Sequence, residues 1–177
     1  MSRQFPIFLD ISNKKIYVYG AGKIASRRVM TLLDFSPCLT VGAPQASPKI
    51  MEASEAGMLR WVCEKYATGT IPEDAFMVLA ATDDNAVNEA VWRECKGKRI
   101  PVNVCSDRSL CDFQFPGIAV KDDVVIGINA GGADHRLARE WTDRIRKEVE
   151  KDGYDDQAEK AQNDSKAQKN GPGDQDG

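Results

Sequence analysis

The segment KIYVYGAGKIA (15–25) decides the fold of this 177-residue chain. Its first part, KIYVYG (15–20), is a short apolar run that ends in glycine, which predicts a β-strand. KIASRRVMTLLDF (23–35) follows with apolar residues near helical spacing. A glycine-rich turn between a strand and a helix is typical of dinucleotide-binding folds, so the segment predicts the first β-α unit of such a fold.

The turn itself has the pattern G-x-G-x-x-A. Gly20 permits the tight turn, Gly22 lets the backbone approach a pyrophosphate closely, and Ala25 lets the helix pack tightly on the strand. The helix N-terminus offers free N–H groups and a positive dipole end to phosphates. These residues predict a dinucleotide site, and the alternative is a glycine turn that binds no ligand.

Four further β-like runs alternate with helical patterns along the first 110 or so residues. AFMVLAAT (75–82) is nearly all apolar, as expected of a strand that is buried on both faces. The other runs and the helical segments between them are CLTVGAP (38–44), residues 45–57, LRWVCEKY (59–66), residues 83–98 and IPVNVCS (100–106). This alternation predicts an α/β protein with a doubly wound parallel sheet of the Rossmann type.

The pattern changes after the fifth strand. Residues 115–132 predict a β-hairpin with a turn at KDD (121–123). A helix is predicted next, with Asp134 as N-cap and with one apolar stripe made by residues four apart. The members of that stripe are Leu137, Trp141, Ile145 and Val149.

A hairpin and one helix bury little surface alone, so we predict that they form an arm that packs against its twin in a homodimer. The expected domains are residues 1–113 for the Rossmann domain and 114–150 for the dimerisation arm. Residues 151–177 are polar and predict a disordered tail.

Composition excludes several other classes of function. The formal net charge is -3 and the sequence pI is about 5.3, which argues against nucleic-acid binding. No apolar run reaches eighteen residues and no signal peptide is recognisable, so we expect a cytoplasmic protein that does not bind membranes. The five cysteines are odd in number and form no CxxC motif, which argues against disulfides and structural zinc.

Two strand ends bear on the cofactor. The second strand ends Val41-Gly42-Ala43-Pro44-Gln45, without the acid that would bind the adenine ribose or an arginine for a 2′-phosphate, so NAD and NADP stay open. Thr82 and Asp83 follow the fourth strand and could line the cofactor. Equally, Asp83 or Asp84 could cap the next helix.

Four segments occur in an order and at spacings that resemble the precorrin-2 dehydrogenase family, the oxidase part of siroheme synthases. They are FPIFLDISNKKIYVYGAGKIASRR, AATDDNAVN, NVCSDRSLCDFQFP and INAGGADHRLARE, and the resemblance covers about residues 4–148. It implies a Rossmann domain, a dimerisation arm and a small helical domain. It also implies NAD as cofactor and oxidation of precorrin-2 to sirohydrochlorin, with iron insertion in some members.

The resemblance also implies site residues. The family's cofactor loops map onto Gly20 to Ala25 and onto Pro44 and Gln45. The first range makes Lys23 and Ile24 predicted cofactor residues as well. The family has Asn-Val-x-Asp after the fifth strand, where the aspartate is the proposed catalytic group. Ser106 stands at that position here and Asp107 follows it. We expect Asp107 to act as the general base and Ser106 as a passive hydrogen-bond donor.

Because precorrin-2 carries eight carboxylates, basic side chains should orient it. We predict Arg108, Lys121 and Arg136 for that role, and further candidates are Arg27, Arg28 and Arg139. No metal site is predicted. His135, the only histidine, is expected to be a surface or capping residue, with metal binding as the alternative.

The helical domain expected after the arm is largely replaced by the polar tail, which puts ferrochelatase activity in doubt and leaves room for a separate chelatase. Two other functions stay open. One is a family member that binds NAD or a tetrapyrrole without catalysis. The other is a nucleotide-sensing domain of the potassium-uptake type, although such domains usually end the second strand in an acid.

Overall fold

A computed structural model of the protein describes residues 4–131 and 135–151. The chain forms two compact units, one ending at Phe115 and the other beginning at Pro116. The tail predicted for residues 151–177 lies, from residue 152 onward, outside the described residues. Among the described residues, no helix has the length and apolar content needed to cross a bilayer.

The first unit contains a five-stranded parallel sheet with strand order β3-β2-β1-β4-β5. The strands are β1 Lys15–Tyr19, β2 Cys38–Gly42, β3 Arg60–Val62, β4 Met77–Ala80 and β5 Val102–Val104. The helices are α1 Lys23–Leu33, α2 Pro48–Glu55 and α3 Asn85–Lys98, and a short 3₁₀ helix spans Arg108–Leu110. The chain order reverses between β1 and β4, so the predicted doubly wound α/β fold is confirmed.

Strand β4 shows why the sheet is buried on both faces. All four of its residues are buried. Met77 and Leu79 belong to an apolar cluster with residues of α1 and α2, whereas Val78 and Ala80 belong to a second cluster with residues of α3. Full burial of one such aliphatic side chain stabilises the fold by about 1.5–3 kcal/mol. Helices therefore cover both faces of the sheet, as the continuous apolar run predicts.

The strands are shorter than predicted at their carboxyl ends. The runs 38–44, 59–66 and 75–82 continue for two to four residues after the strand pairing has ended. Apolar composition does not mark the last paired residue, because the loops that follow are partly buried as well. These loops build the site described below.

The second unit is an antiparallel hairpin followed by a helix. Strand β6, Gly117–Lys121, pairs with β7, Val124–Ile128, and α4 spans His135–Lys151. Asp122 and Asp123 form the turn, with Asp122 at φ +50°, and Lys121 is the last residue of β6 rather than the first of the turn. The N-cap predicted at Asp134 lies outside the described residues.

Helix α4 packs on β6 at one close contact. A Cβ atom on Gly117 would lie 2.0 Å from Oγ1 of Thr142, which is buried. Arg146 donates from Nε and Nη2 to the carbonyl of Ile118, at 2.9 and 2.6 Å. A glycine and a forked guanidinium thus fix the helix against the strand edge.

Among the described residues, only the second half of the apolar stripe predicted on α4 is partly buried. Ile145 and Val149 are half-buried. Leu137 and Trp141 are 43% and 47% exposed, which leaves apolar surface at the start of the helix.

Candidate functional site

A cleft of about 800 Å³ lies at the carboxyl ends of the central strands of the first unit. The loops after β1, β2, β3 and β4 form its walls. The lining residues include Gly20, Gly22, Lys23, Ile24, Pro44, Gln45, Lys65, Tyr66, Thr82 and Asp83. Open α/β sheets bind their ligands at this place, where the order of the strands reverses.

The glycine turn fits a dinucleotide. Gly20 has φ +106°, and a Cβ atom there would lie 2.3 Å from the carbonyl oxygen of Ala81, so only glycine allows β1 and β4 to continue side by side into the cleft. A Cβ atom on Gly22 would meet nothing within 4 Å, which leaves room for a ligand. Gly22 caps α1 without a side-chain hydrogen bond, and the first N–H groups of the helix are available to an anion.

The loop after β2 is tied to the glycine turn. The backbone N–H of Ser47 donates to the carbonyl of Ala21 at 3.2 Å. The hydroxyls of Ser47 and Ser26 are 2.6 Å apart. Pro44 and Gln45, two of the predicted cofactor residues, lie in the cleft wall that these bonds hold in place.

The loop after β4 separates the roles of its two aspartates. Asp84 is the N-cap of α3, because its carboxylate accepts from the N–H groups of Ala86 and Val87 at 2.8 and 3.3 Å. Asp83 is exposed and lines the cleft. Asp84 therefore both caps α3 and lines the cleft, whereas Asp83 only lines it.

Asn88 joins two loops and was not predicted. Its side chain is buried; Oδ1 accepts from the N–H and hydroxyl of Thr82 at 3.0 and 2.7 Å. Its Nδ2 donates to the Thr82 carbonyl and to Oγ of Ser106, both at 3.1 Å. Thr82 of the cleft wall and the loop after β5 are thus connected through one amide. The sequence signal that could have identified Asn88 is its position as a polar residue on the inward face of an amphipathic helix.

The residues predicted to be catalytic follow β5 and do not line the cleft. Ser106 accepts a hydrogen bond from Asn88 rather than serving only as a donor. Asp107 is exposed and caps the 3₁₀ helix, accepting from the backbone N–H and the hydroxyl of Ser109 at 2.8 and 2.7 Å. These side-chain and backbone hydrogen bonds hold the pKa of Asp107 below its ordinary value.

The basic residues predicted for substrate fall into two groups. Arg108 and Arg27 are exposed in the first unit, while Lys121 ends β6 and Arg136 and Arg139 are exposed on α4. Arg28 is different, because its guanidinium donates to Oδ1 of the buried Asn103 and lies 5.1 Å from the centroid of the Phe115 ring. The first of these contacts gives Arg28 a structural role, and its part in substrate binding stays a prediction.

No residue of the cleft wall that follows β3 was predicted from the sequence. Tyr66 donates to Oε2 of Glu94 at 2.6 Å, and its ring meets that of Tyr19 edge-on at 5.0 Å. Glu94 also accepts from the N–H groups of Gly69 and Ile71 at 2.8 and 3.0 Å. One carboxylate on α3 therefore holds three residues of the loop that carries the Lys65–Tyr66 wall.

The cysteines are free thiols. Cys95 is buried, and burial raises the pKa of its thiol to about 12. Cys111 bonds to the N–H and carbonyl of Val104, both at 3.2 Å, which gives it a packing role. Cys38 and Cys63 are exposed. In the described part of the chain, no three His, Cys, Asp or Glu side chains form a group that could hold a metal ion.

Comparisons with known proteins agree with this geometry. A family described as "Putative NAD(P)-binding" matches residues 7–117. The siroheme synthase of Methylococcus capsulatus is 38% identical over 140 residues, and that of Nitrosospira multiformis is 38% identical over 138 residues. These matches cover 79% and 76% of this chain.

The chain spans less than a third of the length of those two relatives, 29% of each. A solved structure named "SirC, precorrin-2 dehydrogenase" superposes with a TM-score of 0.67 at 26% sequence identity. That match covers 82% of this chain and 71% of the other. With the sheet order, the glycine turn and these likenesses together, the chain belongs to the NAD(P)-binding family that comprises precorrin-2 dehydrogenases and the N-terminal part of siroheme synthases.

Proposed function

We propose that the protein oxidises precorrin-2 to sirohydrochlorin, with NAD as the hydride acceptor. The observation that carries the proposal is the cleft at the Gly20–Gly22 turn, which leaves room for a ligand beside Gly22, in a chain of this family. The substrate is inferred from the names of the similar proteins, and only that similarity supports it for this chain.

The cleft residues can be assigned to parts of the cofactor. Bound NAD would supply a nicotinamide ring that accepts a hydride. Gly22 and the N-terminus of α1 would hold the pyrophosphate, with Lys23 beside it as a counter-charge. Pro44 and Gln45 would border the adenosine. Thr82, fixed by Asn88, and Asp83 would border the other half of the cofactor.

The reaction removes a hydride and a proton from the macrocycle, so a base must take the proton. We propose Asp107 for this role. Its carboxylate is exposed and, because its pKa is lowered, ionised at neutral pH. The hydrogen bonds from Ser109 make it a weaker base, and the substrate would have to compete with them.

Binding of a substrate with eight carboxylates requires basic side chains. We propose Arg108, which adjoins Asp107 on the 3₁₀ helix, and Lys121 and Arg136 of the second unit. The exposed apolar surface at the start of α4 supports a homodimer in which this helix packs on its twin.

The test is an anaerobic assay of NADH absorbance with purified protein, precorrin-2 and NAD. We expect turnover, and a loss of tenfold or more in the Asp107→Ala variant, about the contribution of a general base. Asp34→Ala, an exposed aspartate after α1, is the matched control. Absence of turnover in the wild type would refute the enzyme, and full activity of Asp107→Ala would remove that residue from the mechanism. A parallel reaction with Fe(II) tests the expectation that chelation is weak.

A non-catalytic binding protein is the second candidate. The orientation of the Asp107 carboxylate favours it, since that group caps the 3₁₀ helix and does not line the cleft. In that case the absorbance of the tetrapyrrole, or the melting temperature with NAD, would change on binding while no NADH formed.

A further inference from the structure

One cleft-lining side chain, Lys65, has no task in the proposed reaction. It lies in the loop between β3 and β4 and is exposed. Within residues 4–131 and 135–151 it makes no hydrogen bond or ion pair. Lys65 and Lys23 are the basic residues among those that line the cleft.

The pairing of β2 with β3 brings the start of the segment that carries Lys65 to the side of the cleft proposed for the adenosine. Gly42 is opposite Val62 in the register, and the N–H of Ala43 donates to the Val62 carbonyl at 3.1 Å. The next residue, Cys63, donates from its thiol to the carbonyl of Pro44 at 3.3 Å. The segment that carries Lys65 therefore leaves β3 against the loop after β2.

The end of β2 is where dinucleotide-binding sheets distinguish NAD from NADP. A carboxylate there binds the ribose hydroxyls of NAD and repels a 2′-phosphate. The cleft-lining residues after β2, from Ala43 to Ser47, include no acid, and the acids of the lining, Asp83 and Asp84, follow β4 instead. A lysine near the end of β2, with no acid in the loop after that strand, suits a phosphate rather than two hydroxyls.

We propose that the cleft accepts NADP as well as NAD, with Nζ of Lys65 binding the 2′-phosphate of the adenosine ribose. The inference rests on the proposed function for the existence of a cofactor in this cleft. It does not depend on which substrate is oxidised, and it assigns to Lys65 the choice between the two nucleotides.

Calorimetric titration of the full chain with NAD and with NADP tests the proposal without any turnover. We expect NADP to bind within about threefold of NAD or more tightly. Lys65→Ala should weaken NADP by about tenfold, the size expected for one charged contact, and change NAD by less than about twofold. Lys65→Arg should retain NADP binding, because it keeps the charge.

Lys14→Ala removes the same charge at the opposite end of the sheet, directly before β1, and should alter neither affinity. Raised salt should weaken NADP more than NAD in the wild type and equally in Lys65→Ala. Thermal melting of each variant checks that it is folded.

Two results would overturn the proposal: NADP binding more than about tenfold weaker than NAD in the wild type, or equal losses for both nucleotides in Lys65→Ala. Rejection of NADP together with NAD-dependent turnover would refute this inference alone. Failure of the wild type to bind either nucleotide would refute it together with the cofactor part of the proposed function.

Discussion

Gly20 and Gly22 lie two residues apart, yet a methyl group would meet different surroundings at each. At Gly20 it would strike the Ala81 carbonyl in a backbone conformation that favours glycine, so Gly20→Ala should lower the free energy of unfolding by about 2–3 kcal/mol. At Gly22 it would enter open space, so Gly22→Ala should lose only about 1 kcal/mol or less, the cost of alanine as a poorer N-cap than glycine.

The two variants should therefore separate stability from binding. We expect Gly22→Ala to bind NAD about tenfold more weakly at an only slightly lower melting temperature, since the methyl group would enter the position proposed for the pyrophosphate. Thermal melting and calorimetric titration check both values. Unchanged NAD affinity in Gly22→Ala would show that the pyrophosphate lies elsewhere.

Ser109 controls the acidity of Asp107. Because its side-chain and backbone hydrogen bonds lower the pKa of Asp107, Ser109→Ala should raise that pKa toward the ordinary value of 3.8. Titration of the carboxyl carbon by NMR measures this directly. An unaltered or lower pKa in the variant would mean that the serine hydroxyl does not stabilise the carboxylate.

At the scale of elements, one carboxylate of α3 makes several of the hydrogen bonds that hold the loop between β3 and β4. Glu94 is 6% exposed at its side chain and accepts from the Tyr66 hydroxyl, two backbone N–H groups and Nζ of Lys98. Burial opposes its charge, but the hydrogen bonds outweigh burial and hold the pKa of Glu94 below its ordinary value of 4.5.

A folded-state pKa below the unfolded one means that Glu94 stabilises the fold above about pH 4.5, and that this stability is lost as the pH falls through the folded value. Glu94→Gln should cost about 2 kcal/mol at pH 7, and less below pH 4, in urea unfolding. Glu89→Gln, an exposed residue of the same helix paired with Arg93, should cost less than about 0.5 kcal/mol. A pH-independent loss in Glu94→Gln would contradict this account.

The sequence predicted the elements better than the contacts between them. The run 75–82 and the glycine turn were sufficient for a buried parallel strand and a nucleotide fold, because apolar burial and backbone conformation are both local properties. Asn88 and Glu94 were missed, since hydrophobic periodicity marks which apolar residues turn inward and says nothing of polar ones. The direction of the Asp107 carboxylate depends on Ser109 and on a 3₁₀ turn that the pattern does not show.

At the scale of the whole molecule, the second unit leaves apolar surface that supports self-association. Leu137 and Trp141 on α4, and Val120 and Val124 on the hairpin, are each at least 43% exposed. We expect the wild type to be a dimer by light scattering after size exclusion, and Trp141→Glu to shift it toward monomer, because a charge in an apolar interface is costly.

Arg139→Glu is the matched control, as it changes an exposed position of the same helix. It should remain dimeric if the apolar stripe carries the interface. A monomeric wild type at micromolar concentration would refute the homodimer, and a dimeric Trp141→Glu would place the interface on another surface.

The hydrogen bonds that join Ala21 to Ser47 and Gly20 to Gly42 have a kinetic consequence. They connect the floor and one wall of the cleft, so the backbone there needs little ordering when a dinucleotide binds. Association should then lose less conformational entropy and should not be slowed by a conformational change, as expected of a preorganised receptor rather than one that closes around its ligand.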